Sequence, residues 1–275
     1  MATNNRPLKA FVRWDGMGKI VAGSLILRNK IPQNGRWTEI SAYECCNPTP
    51  TPTPASICTT LGVAESFVIL GASTVTNTGS SVVTGDLGLS PGTSVTGFPP
   101  GTVSGAQHIT DAIAAAAQVS AQAAFDCLSA LEADSTLGAD IGGTTVSAGV
   151  YDFASSAAIT GTLILDGGGD PDAVFIFQIP STLVTATSAV VSLINGAQAG
   201  NVYWLVGSSA TLGTSTTMVG NIIADQSVTM VTGATLTGRA FALVAAVTLD
   251  TNTIIGVDCT INPCTTSTTT TSPIG

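Results

Sequence analysis

A recurring pattern of threonines around one apolar residue marks the central part of this 275-residue chain. Four segments share the order Thr, apolar residue, any residue, Thr; they are Thr182–Thr185, Thr211–Thr214, Thr229–Thr232 and Thr248–Thr251. The apolar residues of the last three, Leu212, Met230 and Leu249, recur at nearly equal intervals, the second one position longer than the first. The interval from Leu183 to Leu212 is longer, which fits one coil plus an inserted loop near Asn195. A repeat of about 20 residues that is rich in β-branched residues and glycine is typical of a solenoid.

The repeat also predicts where the threonines lie. Successive coils of a β-solenoid stack through parallel strands, so equivalent residues line up about 4.7–4.9 Å apart. The apolar member of each segment then points into the core, and the threonines point outward. We therefore expect Thr185, Thr214, Thr232 and Thr251 to be aligned on one outer wall. The alternative explanation is that threonine favours strands in general.

One segment, about residues 110–133, departs from the β pattern because alanine dominates it. Its apolar residues recur at steps of three, four or seven; they are Ile113, Ala117, Ala124, Leu128 and Leu131. This periodicity predicts an amphipathic helix with its N-cap in Thr110-Asp111. About 22 residues correspond to ~33 Å, which is long enough to lie along the solenoid and cover one side of it.

The charged residues divide the chain into two unlike modules. Residues 1–44 contain seven of the eight Lys and Arg residues but only three of the 17 acidic residues. We expect residues 1–46 to form a small basic β-rich module, which needs a partner because it has little core, and residues 58–264 to form the solenoid. The alternating Pro and Thr of residues 47–57 predict an extended linker, and the Thr/Ser run of residues 265–275 predicts a disordered tail.

The composition argues against nucleic-acid binding and against a membrane span. Hydrophobic residues make up 44% of the chain and charged residues 9%, which implies a neutral, hydroxyl-rich exterior. The acidic body of the chain repels phosphate, so nucleic-acid binding is not expected. No apolar run is long enough for a membrane span. The first residues show no signal-peptide pattern.

The residues typical of metal sites and catalysis are sparse. The six cysteines include no C-x-x-C pair and His108 is the one histidine, so we expect no metal and no cofactor. His108 fits a role at the helix entry or on the surface. Cys58, Cys259 and Cys264 lie at the two ends of the large module, where either a disulfide or free buried thiols fit. The Asp/Gly-rich residues 166–172 fit either a calcium loop or a turn between coils.

A series of short motifs runs through residues 60–255. They are Ser73–Gly79, Gly85–Gly92, Thr96–Gly101, Pro171–Gln178, Asn195–Gln198, Val206–Gly213, Gly238–Ala240 and Val247–Asp250. In sequence and order they resemble the motifs of the microbial ice-binding protein family. The resemblance implies a mainly β fold: a discontinuous right-handed parallel β-solenoid with one long α-helix packed alongside and the first coil segments next to the last coils. The family has a Gly/Asp/Pro turn where residues 166–172 lie, which favours the turn over a calcium loop.

The same resemblance implies a binding surface. Family members that bind ice use a flat solenoid face with an approximate Thr-small-x-Thr pattern. Thr232–Thr235 match it, Thr185–Ser188 and Thr214–Thr217 match in part, and Thr251–Ile254 depart from it because the last position is apolar. The implied ice-binding or ligand-binding residues are Thr185, Thr187, Thr214, Thr216, Thr217, Thr232, Thr235, Thr251 and Thr253.

The N-terminal module carries a second resemblance. Residues 5–13, 24–28 and 42–48 resemble a leader found on structural proteins of aquatic tailed phages, where Thr/Pro linkers and varied C-terminal domains follow. This resemblance implies that residues 1–46 join a larger assembly such as a virion. It also implies that lysis exports the protein.

Together these observations give two hypotheses of function. The first is a non-enzymatic adhesion or decoration protein, extracellular or on a virion surface, which residues 1–46 anchor and whose solenoid binds ice, a glycan or a cell surface. The alternative is a freestanding ice-binding, antifreeze protein that adsorbs to ice through the Thr-rich face. A polysaccharide lyase is disfavoured because such enzymes need clustered basic or metal-binding residues, and Arg239 is the only basic residue after residue 44 apart from His108.

Overall fold

A computed structural model describes residues 61–257 and three short N-terminal strands. The chain divides into two units, Met1–Thr53 and Pro54–Gly275. In the first unit, β1 (Lys9–Arg13) pairs antiparallel with β2 (Ile26–Arg28) on one side and β3 (Trp37–Ile40) on the other. The predicted linker and tail lie outside the described residues.

The second unit consists of short parallel strands and one long helix among its described residues. Before the helix lie β4 (Phe67–Gly71), β5 (Thr74–Thr78), β6 (Val82–Thr84), β7 (Asp86–Leu89), β8 (Ser94–Thr96), β9 (Thr102–Val103) and β10 (Gln107–Ile109). The helix α1 is Ala112–Ser129. After it come β11 (Ser135–Leu137), β12 (Thr145–Ser147), β13 (Gly149–Phe153), β14 (Ala157–Ile159), β15 (Thr162–Asp166), β16 (Phe175–Ile179), β17 (Leu183–Thr185), β18 (Val190–Ile194), β19 (Val202–Val206), β20 (Ala210–Leu212), β21 (Thr217–Ala224), β22 (Val228–Met230), β23 (Thr235–Ala242), β24 (Val247–Asp250) and β25 (Thr253–Ile255). Two 3-10 turns, Gly62–Ser66 and Ala199–Asn201, complete the unit.

The strands stack into three parallel ladders, which form the three faces of a solenoid. The helix face has the order β10-β7-β4-β23-β21-β19-β16-β13-β11. The threonine face has the order β12-β15-β18-β21-β23-β25-β6-β9, and the third face has the order β14-β17-β20-β22-β24-β5-β8. The long strands β21 and β23 belong to two faces because each turns a corner at a glycine with positive φ, Gly220 and Gly238. A Cβ on Gly238 would lie 2.0 Å from the carbonyl oxygen of Gly220, so only glycine fits there.

The coils do not stack in the order of the sequence. The first strands join the stack beside the last ones, since β4 pairs with β23, β5 with β24 and β6 with β25. The solenoid is therefore discontinuous, as the family resemblance implied. The parallel sheets and the single long helix of residues 61–257 confirm the predicted fold class.

The register confirms three of the four Thr-containing segments and corrects the first. Met230 pairs with both Leu212 and Leu249, as the recurrence of these three residues predicts. However, Leu183 pairs with Ala210 instead of aligning with Leu212. The first segment is thus shifted by two residues, and Thr185 occupies an inward position.

Thr185 is buried and hydrogen-bonded inside the solenoid. It is 3% exposed, its hydroxyl accepts from the backbone N–H of Gly213 at 2.8 Å, and it lies 2.7 Å from the hydroxyl of Thr216. Thr216 is also buried, and it donates to the carbonyl of Ala186 at 3.2 Å. The prediction that these two threonines face outward was wrong, because both satisfy backbone groups at a corner of the coil.

A ladder of aromatic rings fills the core behind the helix face. Tyr151, Phe177 and Trp204 are aligned by the pairing of β13, β16 and β19. The Phe177 ring stacks on Trp204 with 4.1 Å between centroids and on Tyr151 with 5.7 Å. The indole N–H of Trp204 donates to the carbonyl of Val219 at 2.9 Å, so the one polar atom of this buried ring is satisfied.

The helix packs against the helix face through its small residues. Its buried side chains are Ala114, Ala117, Ala121, Ala124 and Leu128. Alanine allows the helix to approach the sheet closely. There the helix forms an apolar cluster with Phe67, Leu70 and Phe241 of the helix face. The predicted contact of Ile113 was wrong, because Ile113 is 49% exposed and Ala114 takes its place. At 18 residues the helix is also shorter than predicted, about 27 Å.

Polar contacts fix the helix at both ends. The Asp111 side chain caps the N-terminus by accepting from the N–H of Ala114 at 2.8 Å. Near the other end, the Gln178 amide donates to the carbonyls of Leu128 and Leu131, each at 2.9 Å. Cys127 on the helix is disulfide-bonded, although it was not among the cysteines predicted to form a bridge. Those three, Cys58, Cys259 and Cys264, lie outside the described residues.

Arg239 joins the beginning of the large unit to its end. The side chain is 2% exposed and its guanidinium donates to the carbonyls of Glu65 and Val257 and to the Asn221 side chain. Three elements that are far apart in sequence thus meet at one buried cation. Arg239 is therefore a structural residue.

We expect that replacing Thr185 by Val lowers the free energy of unfolding by roughly 1–3 kcal/mol, because the N–H of Gly213 loses its acceptor while the side-chain shape is kept. Denaturant titration measures the change. The matched control is Thr217→Val, at an exposed position of the threonine face, where the free energy should stay within about 0.5 kcal/mol of wild type. Equal stability of the two variants would contradict the buried placement of Thr185.

The helix cap predicts a pH-dependent stability. Ala114, which donates its N–H to Asp111, and next the hydrogen bond with His108 hold the pKa of Asp111 below its ordinary value of 3.8. Since the folded-state pKa is the lower one, the stabilisation is complete above the unfolded-state pKa and is lost as pH falls through the folded-state pKa.

We therefore expect Asp111→Ala to have a lower Tm than wild type at neutral pH, with a gap that closes as pH falls below about 3.8. Thermal unfolding followed by circular dichroism over this pH range measures the gap. Glu132→Ala, at an exposed carboxylate just after the helix, is the control and should show no such trend. A gap that is independent of pH would show that the cap does not act through the ionised carboxylate.

Candidate functional site

The threonine face presents two straight ranks of outward side chains. In β23, the buried Leu236 lies between the outward Thr235 and Thr237, as expected for a strand with one solvated side. Pairing of the strands aligns the first rank, Thr162, Val190, Thr217, Thr235, Thr253, Val82 and Thr102. The second rank lies two residues further along each strand and consists of Thr145, Ile164, Ser192, Val219, Thr237, Ile255, Thr84 and Ser104.

The chemistry of these ranks is uniform. Eight of the fifteen side chains are Thr, two are Ser and five are Val or Ile, so none is charged. Most of the hydroxyls are exposed and form no hydrogen bond to protein; the exceptions are Thr235, which donates to Thr216, and Ser104, which accepts from Gly85. The face therefore offers methyl groups and water-accessible hydroxyls in register at intervals of about 4.8 Å.

The third face also has a rank of threonines, but its hydroxyls are less available. Four of them are only partly exposed: Thr76, Thr211, Thr229 and Thr248. Several hydroxyls of this face bond to each other between coils: Thr76 to Thr248 at 3.3 Å, Ser227 to Ser209 at 2.9 Å and Thr182 to Ser156 at 2.9 Å. Since these groups satisfy one another, the threonine face is the better candidate for contact with an external ligand.

A regular corner connects the third face to the threonine face. In successive coils, one residue at this corner has a positive φ; these residues are Ser188, Ser215, Gly233, Thr251 and Gly79. The backbone hydrogen bonds of the corner align the residues that precede them, which are Thr187, Thr214, Thr232, Asp250 and Thr78. We call these five preceding residues the corner rank.

The nine predicted binding residues fall into three groups. Thr217, Thr235 and Thr253 stand side by side in the first rank of the threonine face. The corner rank contains Thr187, Thr214 and Thr232, and Thr251 is one of the positive-φ residues beside it. Thr185 and Thr216 are buried. The expected single row of Thr185, Thr214, Thr232 and Thr251 does not exist, because these four residues occupy three different positions of the coil.

Sequence reasoning missed a larger part of the face. The missed threonines are Thr84, Thr102, Thr145, Thr162 and Thr237. The signal that identifies them is the two-residue alternation, as in Thr235-Leu236-Thr237 and Val82-Val83-Thr84, and not the Thr-small-x-Thr pattern. The Thr-small-x-Thr pattern links a corner residue such as Thr232 to a face residue such as Thr235, so it reports one face position per coil instead of two.

The other candidate sites have structural roles. His108 contacts the cap residue Asp111 at 2.7 Å and packs edge-on against Phe67, which agrees with the predicted position at the helix entry. In the Asp/Gly-rich segment, Asp166 accepts from the N–H of Gly168 at 2.9 Å and from the side chain of Asn195 at 2.8 Å. These bonds hold the pKa of Asp166 below its ordinary value. The segment is therefore a turn between coils.

In the part of the chain that the structure describes, no group of three or more His, Cys, Asp or Glu side chains is placed to hold a metal ion. Its one long helix is also not apolar enough to cross a membrane.

Comparison with known proteins gives consistent matches over the solenoid. Residues 69–255 match the family model described as Ice-binding-like. An ice-binding protein from Nostoc sp. (strain HG1) is 51% identical over 196 residues, which cover 70% of this chain and 72% of that protein. An ice-binding protein from Flavobacterium frigoris (strain PS1) is 35% identical over 209 residues, which cover 70% of this chain and 75% of that protein.

Solved structures agree with this match. The crystal structure of an ice-binding protein from the Antarctic ascomycete Antarctomyces psychrotrophicus superposes with a TM-score of 0.70 at 44% identity, covering 71% of this chain and 97% of that one. The ice-binding protein LeIBP from an Arctic yeast gives a TM-score of 0.69 at 28% identity, covering 72% and 94%.

The comparisons support the first of the two resemblances and not the second. The matched residues begin at 69, so they do not include residues 1–46, and attachment of that module to a virion or another assembly stays a prediction. For the solenoid, the family model, the relatives and the solved structures agree. The chain belongs to the ice-binding-like family.

Proposed function

We propose that this protein adsorbs to ice through its threonine face. The observation that carries the proposal is the array of fifteen uncharged side chains in two ranks, in which Thr is the commonest residue. A relative that is 51% identical over the solenoid is an ice-binding protein, and one of the solved structures is described as the structural basis for antifreeze activity. Of the two functional hypotheses drawn from the sequence, the freestanding ice-binding protein is therefore the better supported.

The chemistry of the face suits a surface of ordered water. Methyl groups of Thr, Val and Ile hold water in cage-like arrangements, while the Thr hydroxyls hydrogen-bond to the same water layer. Each contact is weak, but fifteen contacts on one rigid wall act together, as in any multivalent interaction. The parallel ladders set the spacing before ice is met, so little conformational entropy is lost on adsorption.

The other two faces are less suited to this role. The helix and its apolar contacts cover the helix face. On the third face, hydroxyls bond to one another between coils and several are half-buried, which leaves fewer groups for water. A polar ligand of the solenoid such as a glycan is less well supported, because the fifteen positions contain no aromatic, amide or charged side chain that would select a sugar. Since ice grows in the surrounding medium, the proposal places the protein outside the cell.

The decisive test is a bulky substitution in the middle of the threonine face. Thr235 lies in the first rank between Thr217 and Thr253, so a tyrosine there holds both neighbours away from a flat crystal surface. We expect Thr235→Tyr to lose most of the thermal hysteresis and most of the inhibition of ice recrystallisation. Thr235 is only partly exposed, so circular dichroism should first show that the variant keeps the wild-type fold.

Val119→Tyr is the matched control, because Val119 is 70% exposed on the outer side of the helix. This variant should keep wild-type hysteresis. A folded wild-type protein without hysteresis would overturn the proposed function, and a fully active Thr235→Tyr variant would show that a different face contacts ice.

A further inference from the structure

The corner rank contains one side chain that differs in kind from the rest. Four of its five members are threonines, Thr187, Thr214, Thr232 and Thr78, and the fifth is Asp250. The difference coincides with a change in the length of the corner. Met230 pairs with Leu249 and Thr235 pairs with Thr253, so the corner from Leu249 to Thr253 corresponds to the corner from Met230 to Thr235 in the neighbouring coil. The corner that contains Asp250 is one residue shorter than that neighbouring corner.

The shorter corner concentrates polar contacts on Asp250. Its carboxylate accepts from the hydroxyl of Thr232 in the neighbouring coil and from the hydroxyl of Thr251 at 3.1 Å. Its backbone N–H donates to the buried side chain of Asn252 at 2.6 Å. The Asn252 side chain in turn donates to the carbonyls of Val231 and Ala234 in the neighbouring coil. Asn252 therefore fixes the backbone position of Asp250.

These contacts occupy two hydroxyls at the border of the threonine face. The Thr232 and Thr251 hydroxyl protons point at the Asp250 carboxylate and not at the water layer. No cation of the described residues pairs with this carboxylate, which is half-buried at the border of the threonine face. A charged group in this position keeps a strongly bound hydration shell, and removing that shell at a solid surface costs much more than removing water from a hydroxyl.

From this geometry, and on the basis of the proposed function, we infer that Asp250 is a specificity-determining residue: it ends the ice-contacting surface at the corner. The charge confines adsorption to the two ranks of the threonine face. Without the charge, the corner rank, four of whose five members are threonines, is a third uncharged row beside those two ranks. Asp250 thus decides how much of the solenoid, and which orientation of it, meets a crystal.

The experiment compares the full-length wild type with Asp250→Asn, which keeps the shape of the side chain and one of its two acceptor oxygens but removes the charge. We expect thermal hysteresis at equal concentration to rise by roughly a third, in proportion to the five corner positions added to fifteen. We also expect the variant to bind an additional crystal plane. Planes are read from the pattern that fluorescently labelled protein leaves on a single ice crystal. All lysines lie before residue 31, so an amine-reactive dye leaves the solenoid unlabelled.

Asp250→Glu keeps the charge and should show wild-type hysteresis and planes, which a purely structural role of the side chain does not predict. Asp250→Thr matches the other corner positions and serves if the Asn variant is less stable than wild type in thermal unfolding. Stable variants without the charge that bind the same planes with unchanged or lower hysteresis would overturn the inference, while the proposed function would stand. Absence of hysteresis in the wild type would instead overturn the proposed function itself, and the inference with it.

Discussion

The parallel backbone ladder is the interaction on which the rest of the structure depends. Each coil hydrogen-bonds to the next with equivalent residues in register, so any feature of one coil is repeated at a fixed interval along the stack. The aromatic stack of the core, the row of left-handed corner residues and the ranks of the threonine face all follow from this register. The ladder also explains the rigidity of the face, because shifting one side chain of a rank requires its whole coil to shift.

Two structural demands compete for the same residue type. A threonine can serve on the surface, where its methyl and hydroxyl groups meet water, or inside, where its hydroxyl satisfies a backbone group at a corner. Thr217 does the first, and Thr216, its neighbour in sequence, does the second. The two are distinguished by their position in the coil and not by their chemistry, so composition alone does not reveal a binding face.

This distinction explains how far the sequence predicted the structure. The recurrence of Leu212, Met230 and Leu249 was correct because a core residue recurs once per coil whatever the turns do. Thr185 was misplaced because the Thr-x-x-Thr pattern is matched equally well by a segment two residues out of register. For the helix, Ile113 was expected in the interface, but the close approach to the sheet admits Ala114 instead. The second rank of the face was missed because it becomes visible only when the two-residue alternation is applied to each strand of the face.

The discontinuous order of the coils has a consequence for how the molecule is made. The coils formed by residues 61–109 dock on residues 235–255, so during synthesis they must wait until those residues have left the ribosome. Contacts of such wide sequence separation form slowly. Until that moment the nascent chain carries two unpaired strand edges, one on each segment, that could pair with another chain. The late docking of these coils, which Arg239 holds from inside, is thus the step that pairs these two edges with each other.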